Sequence, residues 1–217
     1  MTHHTSLRTL VTILSAAALL QACVPLAVVG VGTGVTSTLD RRTYGEQIMD
    51  REIEVKFNRS FPKDLEARTA AQATSFNRWV LLTGQAIDAS SRSEVENLAR
   101  GLANVREVFN EISIGYPASF SSRNNDSFLT TKVKARLFDS PYISGHHVKV
   151  VTESGIVYLL GEVTAGEAQA ATEVARNTSG VQKVVSMFEV ISPERAKQLN
   201  ALPEQSSSSK TAPASAE

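Results

Sequence analysis

Residues 148–163 read Val-Lys-Val-Val-Thr-Glu-Ser-Gly-Ile-Val-Tyr-Leu-Leu-Gly-Glu-Val. Two β-rich runs, Val148 to Thr152 and Ile156 to Gly161, flank Glu153-Ser154-Gly155, which predicts a hairpin. Ala165 to Thr178 follows with helical spacing, and Val184, Ser186, Phe188 and Val190 then alternate as in a strand. Upstream, Asp126 to Asp139 carries Leu129, Val133 and Leu137 at every fourth residue, the stripe of a one-faced helix. The order is helix-strand-strand-helix-strand.

That order occurs once before. Met49, Ile53 and Phe57 form a helical stripe from Glu46 onward, and the reading aligns them with Leu129, Val133 and Leu137 at an offset of 80. A strand near Ala70 to Thr74, a turn at Ser75 to Arg78 and a strand from Trp79 to Thr83 follow, with Gly84 matching Gly161 at an offset of 77. Ser90 to Ala103 then restates the second helix, and Val108, Asn110, Ile112 and Ile114 restate the last strand, both at an offset of 76. Such a repeat is the strongest constraint on the fold. The chain is read as α/β, two tandem copies that are each an α+β sandwich of helices on a small sheet.

The expected organisation is a signal segment at 1–22, a tether at 23–45, copies at 46–115 and 125–191, a linker at 116–124 and a tail at 192–217. Each copy has about 65 to 70 residues, a size at which burial is marginal, so the two are expected to pack together. Trp79 takes the place of Ile156 and is expected under the helices. A short helix could run to Leu202, and from Pro203 the polar chain is expected to be disordered.

The pattern of Val157 to Val163, then Ala165, a helix, Ser179-Gly180-Val181 and a closing strand, resembles the BON domain. The whole chain resembles the dual-BON outer-membrane lipoproteins of the DolP type. The second copy fits closely. The first departs where Asn104-Val105 replaces Gly180-Val181 and where Gly84 to Ile87 holds an extra residue. The resemblance implies phospholipid binding and support of outer-membrane integrity, often near the division site, without catalysis.

The N-terminus suits that resemblance. Arg8 precedes an apolar run from Leu10 to Leu20, too short at 1.5 Å per residue to cross a bilayer core of about 30 Å, so it reads as an export signal. Leu20-Gln21-Ala22-Cys23 is similar to the lipobox of bacterial lipoproteins, with Gln21 departing from it. That resemblance implies acylation of Cys23, the one cysteine in 217 residues. Val24, where an aspartate would mark retention at the inner membrane, favours the outer membrane by the same resemblance. The other reading is a signal cut elsewhere, leaving Cys23 as a free thiol.

Composition excludes several classes. Lys plus Arg and Asp plus Glu number 22 each, unlike a nucleic-acid binder with its basic domain. Gly30, Gly32 and Gly34 lack the spacing and context of a nucleotide loop, and no GxSxG, HExxH, CxxC or P-loop is present. His146 and His147 are adjacent, a poor arrangement for two ligands of one metal. No cofactor, metal or enzymatic activity is expected.

The candidate site lies on the helix from Asp126. With Leu129 at 0° and about 100° per residue, Val133 and Leu137 fall at about 40° and 80°, whereas Phe128, Lys132 and Ala135 fall at about 260°, 300° and 240°. Lys134 and Arg136 add charge. Residues 126–139 carry net +1, against −1 for 46–59. An aromatic wedge with flanking cations suits an anionic phospholipid surface. Two other readings stand beside it: Phe128 could seat against the first copy or widen the core stripe. Phe138 and Tyr142 could extend the surface, although loop aromatics in small domains usually cap the core. A protein-interaction scaffold that docks envelope or division-site proteins is the alternative function.

Overall fold

The computed structural model describes residues 40–208, with side chains described to Ala201. Cys23, the signal segment, the tether to residue 39 and the tail from 209 lie outside the described residues. The first copy comprises α1 (Tyr44–Arg59), α2 (Lys63–Glu66), β1 (Gln72–Phe76), β2 (Trp79–Thr83), β3 (Gln85–Ala86), α3 (Ala89–Arg100), β4 (Glu107–Asn110) and β5 (Ser113–Ile114). The second comprises α4 (Phe120–Phe138), a 3-10 turn at Gly145–His147, β6 (Val148–Glu153), β7 (Ile156–Val163), α5 (Ala165–Arg176) and β8 (Lys183–Val190). A last helix, α6, spans Pro193–Ser208.

Both sheets share one topology. β1 and β2 form an antiparallel hairpin with β4 parallel beside β2, and β6, β7 and β8 repeat this arrangement. In the first copy the last strand breaks after Asn110, whose side chain accepts from the Ile112 amide, and a small β3–β5 pair continues beyond it. β8 runs unbroken for eight residues.

Alternation along the central strands builds three cores. Val80 and Leu82 pack with Ile53, Phe57, Val95 and Ala99 beneath the helices of the first copy. Val157 and Leu159 do the same with Val133, Leu137, Ala171 and Ala175 in the second. The opposite faces meet each other: Phe76 and Leu81 pack with Tyr158, Leu160 and Met187. The two copies are thus joined sheet to sheet, as their small size predicts. Trp79 shares the face of Leu81, not of Val80, and stacks on Phe109 at 5.4 Å between centroids. It lies between the sheets, away from the helices, contrary to expectation.

Several boundaries also shift. α4 begins at Phe120, six residues before Asp126, because Ser119 caps the helix by accepting from the Ser122 amide. Residues 120–124 of the expected linker are therefore helix. α6 buries Ala196 and Leu199, and its backbone runs through Pro203 to Ser208, past the expected start of disorder. The tether ends before Asp40, since Arg41 and Arg42 are bound into the fold.

The helical register between copies is 76, not 80. Asp50 accepts from the Ser75 hydroxyl and from the Asn77 and Arg78 amides of the first hairpin turn. Asp126 accepts from the Ser154 and Gly155 amides of the second, both at 2.8 Å. All four turn residues have positive φ, the conformation of a two-residue hairpin turn, so each aspartate holds a strained turn against its helix. Ile53 and Phe57 thus correspond to Leu129 and Val133. The offset of 80 matched the periodicity one turn out of place, because an apolar stripe repeats each turn and cannot mark its own origin.

Candidate functional site

Residues on one side of α4 fix it to the second copy. Leu129, Val133 and Leu137 are buried in the core, Thr130 bonds Thr152 at 2.8 Å, and Asp126 holds the hairpin turn. The opposite side faces solvent. Phe128 is 64% exposed, which rules out both core and inter-copy packing for its ring. Ala135 is exposed beside it, as are Lys134 and Arg136. Lys132 is half-buried and donates to the Ser179 carbonyl at 2.9 Å.

These residues do not form a single patch. Phe128, Lys132 and Ala135 share a stripe about 60° wide, while Lys134 and Arg136 stand on its two flanks, about 160° apart around the helix axis. Arg136 lines an open cleft of about 480 Å³ with Tyr142, Ala170, Glu173 and Val174. Phe138, 52% exposed, and Tyr142, 77% exposed, do not cap the core, and Phe120 adds a third ring near the start of the helix. Phe120 was hidden in the sequence because it fell in the expected linker; its signal was the Ser119 cap.

The corrected register changes the comparison between copies. Glu52 and Lys56 of α1 occupy the places of Phe128 and Lys132. In the first copy they form an ion pair at 2.7 Å. In the second the acid is replaced by an exposed phenyl ring, and Lys132 forms no ion pair among the described residues. The asymmetry is therefore an aromatic in place of an acid, with the lysine common to both.

A second polar feature ties the N-terminal segment to this copy. Arg41 donates to both oxygens of Glu167 at 2.8 Å, to the Glu162 carbonyl at 2.9 Å and to Asn200 at 3.0 Å. Burial alone would raise the Glu167 carboxyl, but the Arg41 guanidinium and the Thr164 amide outweigh it and hold it at about 2. Burial, with the Arg41 charge behind it, pushes the neighbouring His147 imidazole below its usual range, and among the described residues its Nδ1 has no hydrogen-bond partner, the nearest Glu167 oxygen standing at 3.7 Å. Among the described residues no group of three or more His, Cys, Asp or Glu side chains is placed to hold a metal ion. No described helix is long and apolar enough to cross a membrane.

The repeated topology has a match in both halves. Residues 49–116 and 125–192 each match the BON domain family. The chain belongs to that family. It is also 36% identical to "Outer membrane lipoprotein DolP" of Haemophilus influenzae over 187 residues, 85% of this chain and 97% of the relative. It is 35% identical to a "21 kDa hemolysin" of Actinobacillus pleuropneumoniae over 158 residues, covering 72% of this chain and 81% of the relative. "Osmotically-inducible protein Y" of Escherichia coli is 27% identical over 108 residues, 48% of this chain and 54% of the relative. This dual-BON chain is thus an outer-membrane lipoprotein of the DolP type. The N-terminal segment that would carry its lipid meets the described fold at Asp40, where Arg41 clamps the second BON domain.

Proposed function

We propose that the second BON domain binds anionic phospholipid at the periplasmic leaflet through the Phe128, Lys132 and Ala135 stripe of α4, flanked by Lys134 and Arg136, and that the protein supports outer-membrane integrity without catalysis. The observation that carries this reading is the replacement of the Glu52–Lys56 ion pair by an exposed ring beside a lysine with no acid partner among the described residues. A ring entering the interface contributes about 1.5 to 3 kcal/mol, and each cation near an anionic surface about 1 kcal/mol. Such terms are modest alone, but acylation at Cys23 would keep the domain at high local concentration, where they suffice.

The test is sedimentation of residues 24–217 with phosphatidylglycerol vesicles at low salt. The wild type should co-sediment, whereas Phe128→Ala and Lys132→Glu should stay in the supernatant. Sedimentation unchanged in both variants would sink the reading. Envelope or division-site proteins that remain bound after detergent treatment would favour the scaffold instead.

A further inference from the structure

Among the described residues β8 pairs only with β7, and no strand lies on its other edge. The Ile191 amide donates to the Val163 carbonyl, so by alternation Lys183, Val185, Met187 and Glu189 turn their backbone groups toward β7. Those of Val184, Ser186, Phe188 and Val190 point outward.

The corresponding edge of the first domain is closed. Arg92 of α3 donates to the Asn110 carbonyl at 2.7 Å and Arg100 to the Val108 carbonyl at 3.5 Å. The Asn110 amide group in turn donates to Glu96 at 2.9 Å. In the second domain Ala168 stands in the place of Arg92, Thr172 of Glu96 and Ser186 of Asn110, with the two hydroxyls bonded at 2.8 Å, while Arg176 keeps the place of Arg100 and lines the same edge without bonding a β8 carbonyl. No side chain among the described residues caps the outward carbonyls of Val184 and Ser186. An open cavity of about 420 Å³ lies there, lined by Ala168, Thr172, Ser186, Phe188 and Val190. An eight-residue strand edge left free in this way is a template for another strand.

The strand is complementary to itself. Laid antiparallel on a second β8 with Ser186 opposite Ser186, every outward residue meets an outward residue, as hydrogen-bonded pairs require. Val184 then meets Phe188 on the helical face. Lys183 meets Glu189 on the other face, where the Glu189 carboxylate also accepts from Asn77 at 2.6 Å and pairs loosely with Arg106 at 3.4 Å, so opposite charges meet twice about the axis.

We propose that two copies of this chain pair through β8 in this register, forming a continuous six-stranded sheet. The two-fold axis runs perpendicular to the sheet, so both helical layers lie on one side and both first domains on the other. The cleft beside α5 leaves room for side chains of the partner strand, such as its Val184 and Phe188. The pairing stands without the membrane reading; if that reading also holds, two Phe128 stripes face one leaflet and reinforce each other.

The test uses the full-length protein in its own envelope, carrying Ser186→Cys, oxidised with copper phenanthroline and run on a non-reducing gel. Paired Cα atoms at a hydrogen-bonded position lie about 5.5 Å apart, within disulfide range. A reducible species of twice the monomer mass is expected, absent from wild type and from the exposed α4 control Thr131→Cys. Adding Lys183→Glu should reduce it about tenfold by opposing like charges at both ends of the pair. A Ser186→Cys protein that melts like wild type yet stays monomeric overturns the proposal. So does equal cross-linking of Thr131→Cys, indifference to Lys183→Glu, or capture of a different polypeptide by the thiol that Ser186→Cys introduces.

Discussion

Arg41 and Glu167, separated by 126 residues in the chain, are joined by two hydrogen bonds of 2.8 Å. The guanidinium is 4% exposed and also serves Glu162 and Asn200, so it links the N-terminal segment, α5 and α6 of one domain. Arg41→Met removes the cation and leaves a partly buried carboxylate behind. The expected cost is about 3 kcal/mol, which in a chain of this size lowers the melting temperature by roughly 6–12 °C. Calorimetry of the variant measures it; a shift under about 2 °C would show the clamp to be incidental.

Acid should loosen this clamp in two stages. His147 in the fold resists a proton that the unfolded chain accepts near pH 6.5, so stability declines as pH falls below that value. Glu167, held at about 2 against an ordinary 4.5, contributes fully above pH 4.5 and loses its contribution as pH falls from there through about 2. Urea midpoints followed from about pH 8 to about pH 3 should show both declines. His147→Gln should remove the upper one, and Arg41→Met should shrink both, since Arg41 lowers His147 as well as Glu167, while Asp88, Glu94 and Glu96 keep part of the lower decline.

The aspartates beneath the hairpin turns offer an internal comparison. Asp126→Asn weakens two charge-assisted bonds to the second turn and is expected to cost about 2 kcal/mol. Asp50 holds two amides and a hydroxyl and pairs with Arg42 at 2.9 Å, so Asp50→Asn should cost more. Denaturant titration ranks the two, and the reverse order would contradict the geometry.

Phe128 and Leu129 are neighbours with opposite surroundings. Phe128→Ala should leave stability within about 0.5 kcal/mol of wild type while abolishing vesicle binding. Leu129 is 2% exposed, and Leu129→Ala should cost about 2 to 5 kcal/mol. Thermal melts read beside the sedimentation assay separate binding from folding.

The shared core predicts coupled unfolding. Trp79, the one tryptophan, reports on the first domain, whereas Met187 belongs to the second and lies in the core between the sheets. Met187→Ala should lower the denaturation midpoint seen by Trp79 fluorescence. An unchanged midpoint would mean that the domains unfold independently.

Much of this architecture was legible from local pattern. A β-rich run marked β7 and alternation marked β8, four-residue spacing marked the buried faces of α1 and α4, and the Glu153-Ser154-Gly155 turn marked the hairpin. Phe128 was correctly placed off the core stripe, since its direction follows from helical geometry alone. The helix starts were less clear. Ser119 is a good cap, but it sits in a polar stretch with no apolar stripe after it until Leu129. Gly84 illustrates both sides: its position after a strand was plain, but its need for glycine arises from φ of 111° and from the Ala70 carbonyl that a Cβ would strike.

The sequence by itself determined the two copies, their element order and the inward face of each helix, because those depend on periods of about two and 3.6 residues that any short window contains. Only the tertiary structure decided that the first helix of each copy shares the register of 76, shown by Asp50 and Asp126 gripping their turns. It alone turned Trp79 between the sheets, bound Arg41 to the second domain and, among the described residues, left the β8 carbonyls uncapped where Arg92 and Arg100 cap those of β4. Each of those outcomes depends on which surfaces meet across many residues of chain, and a side chain carries no local mark of the partner that folding will bring to it.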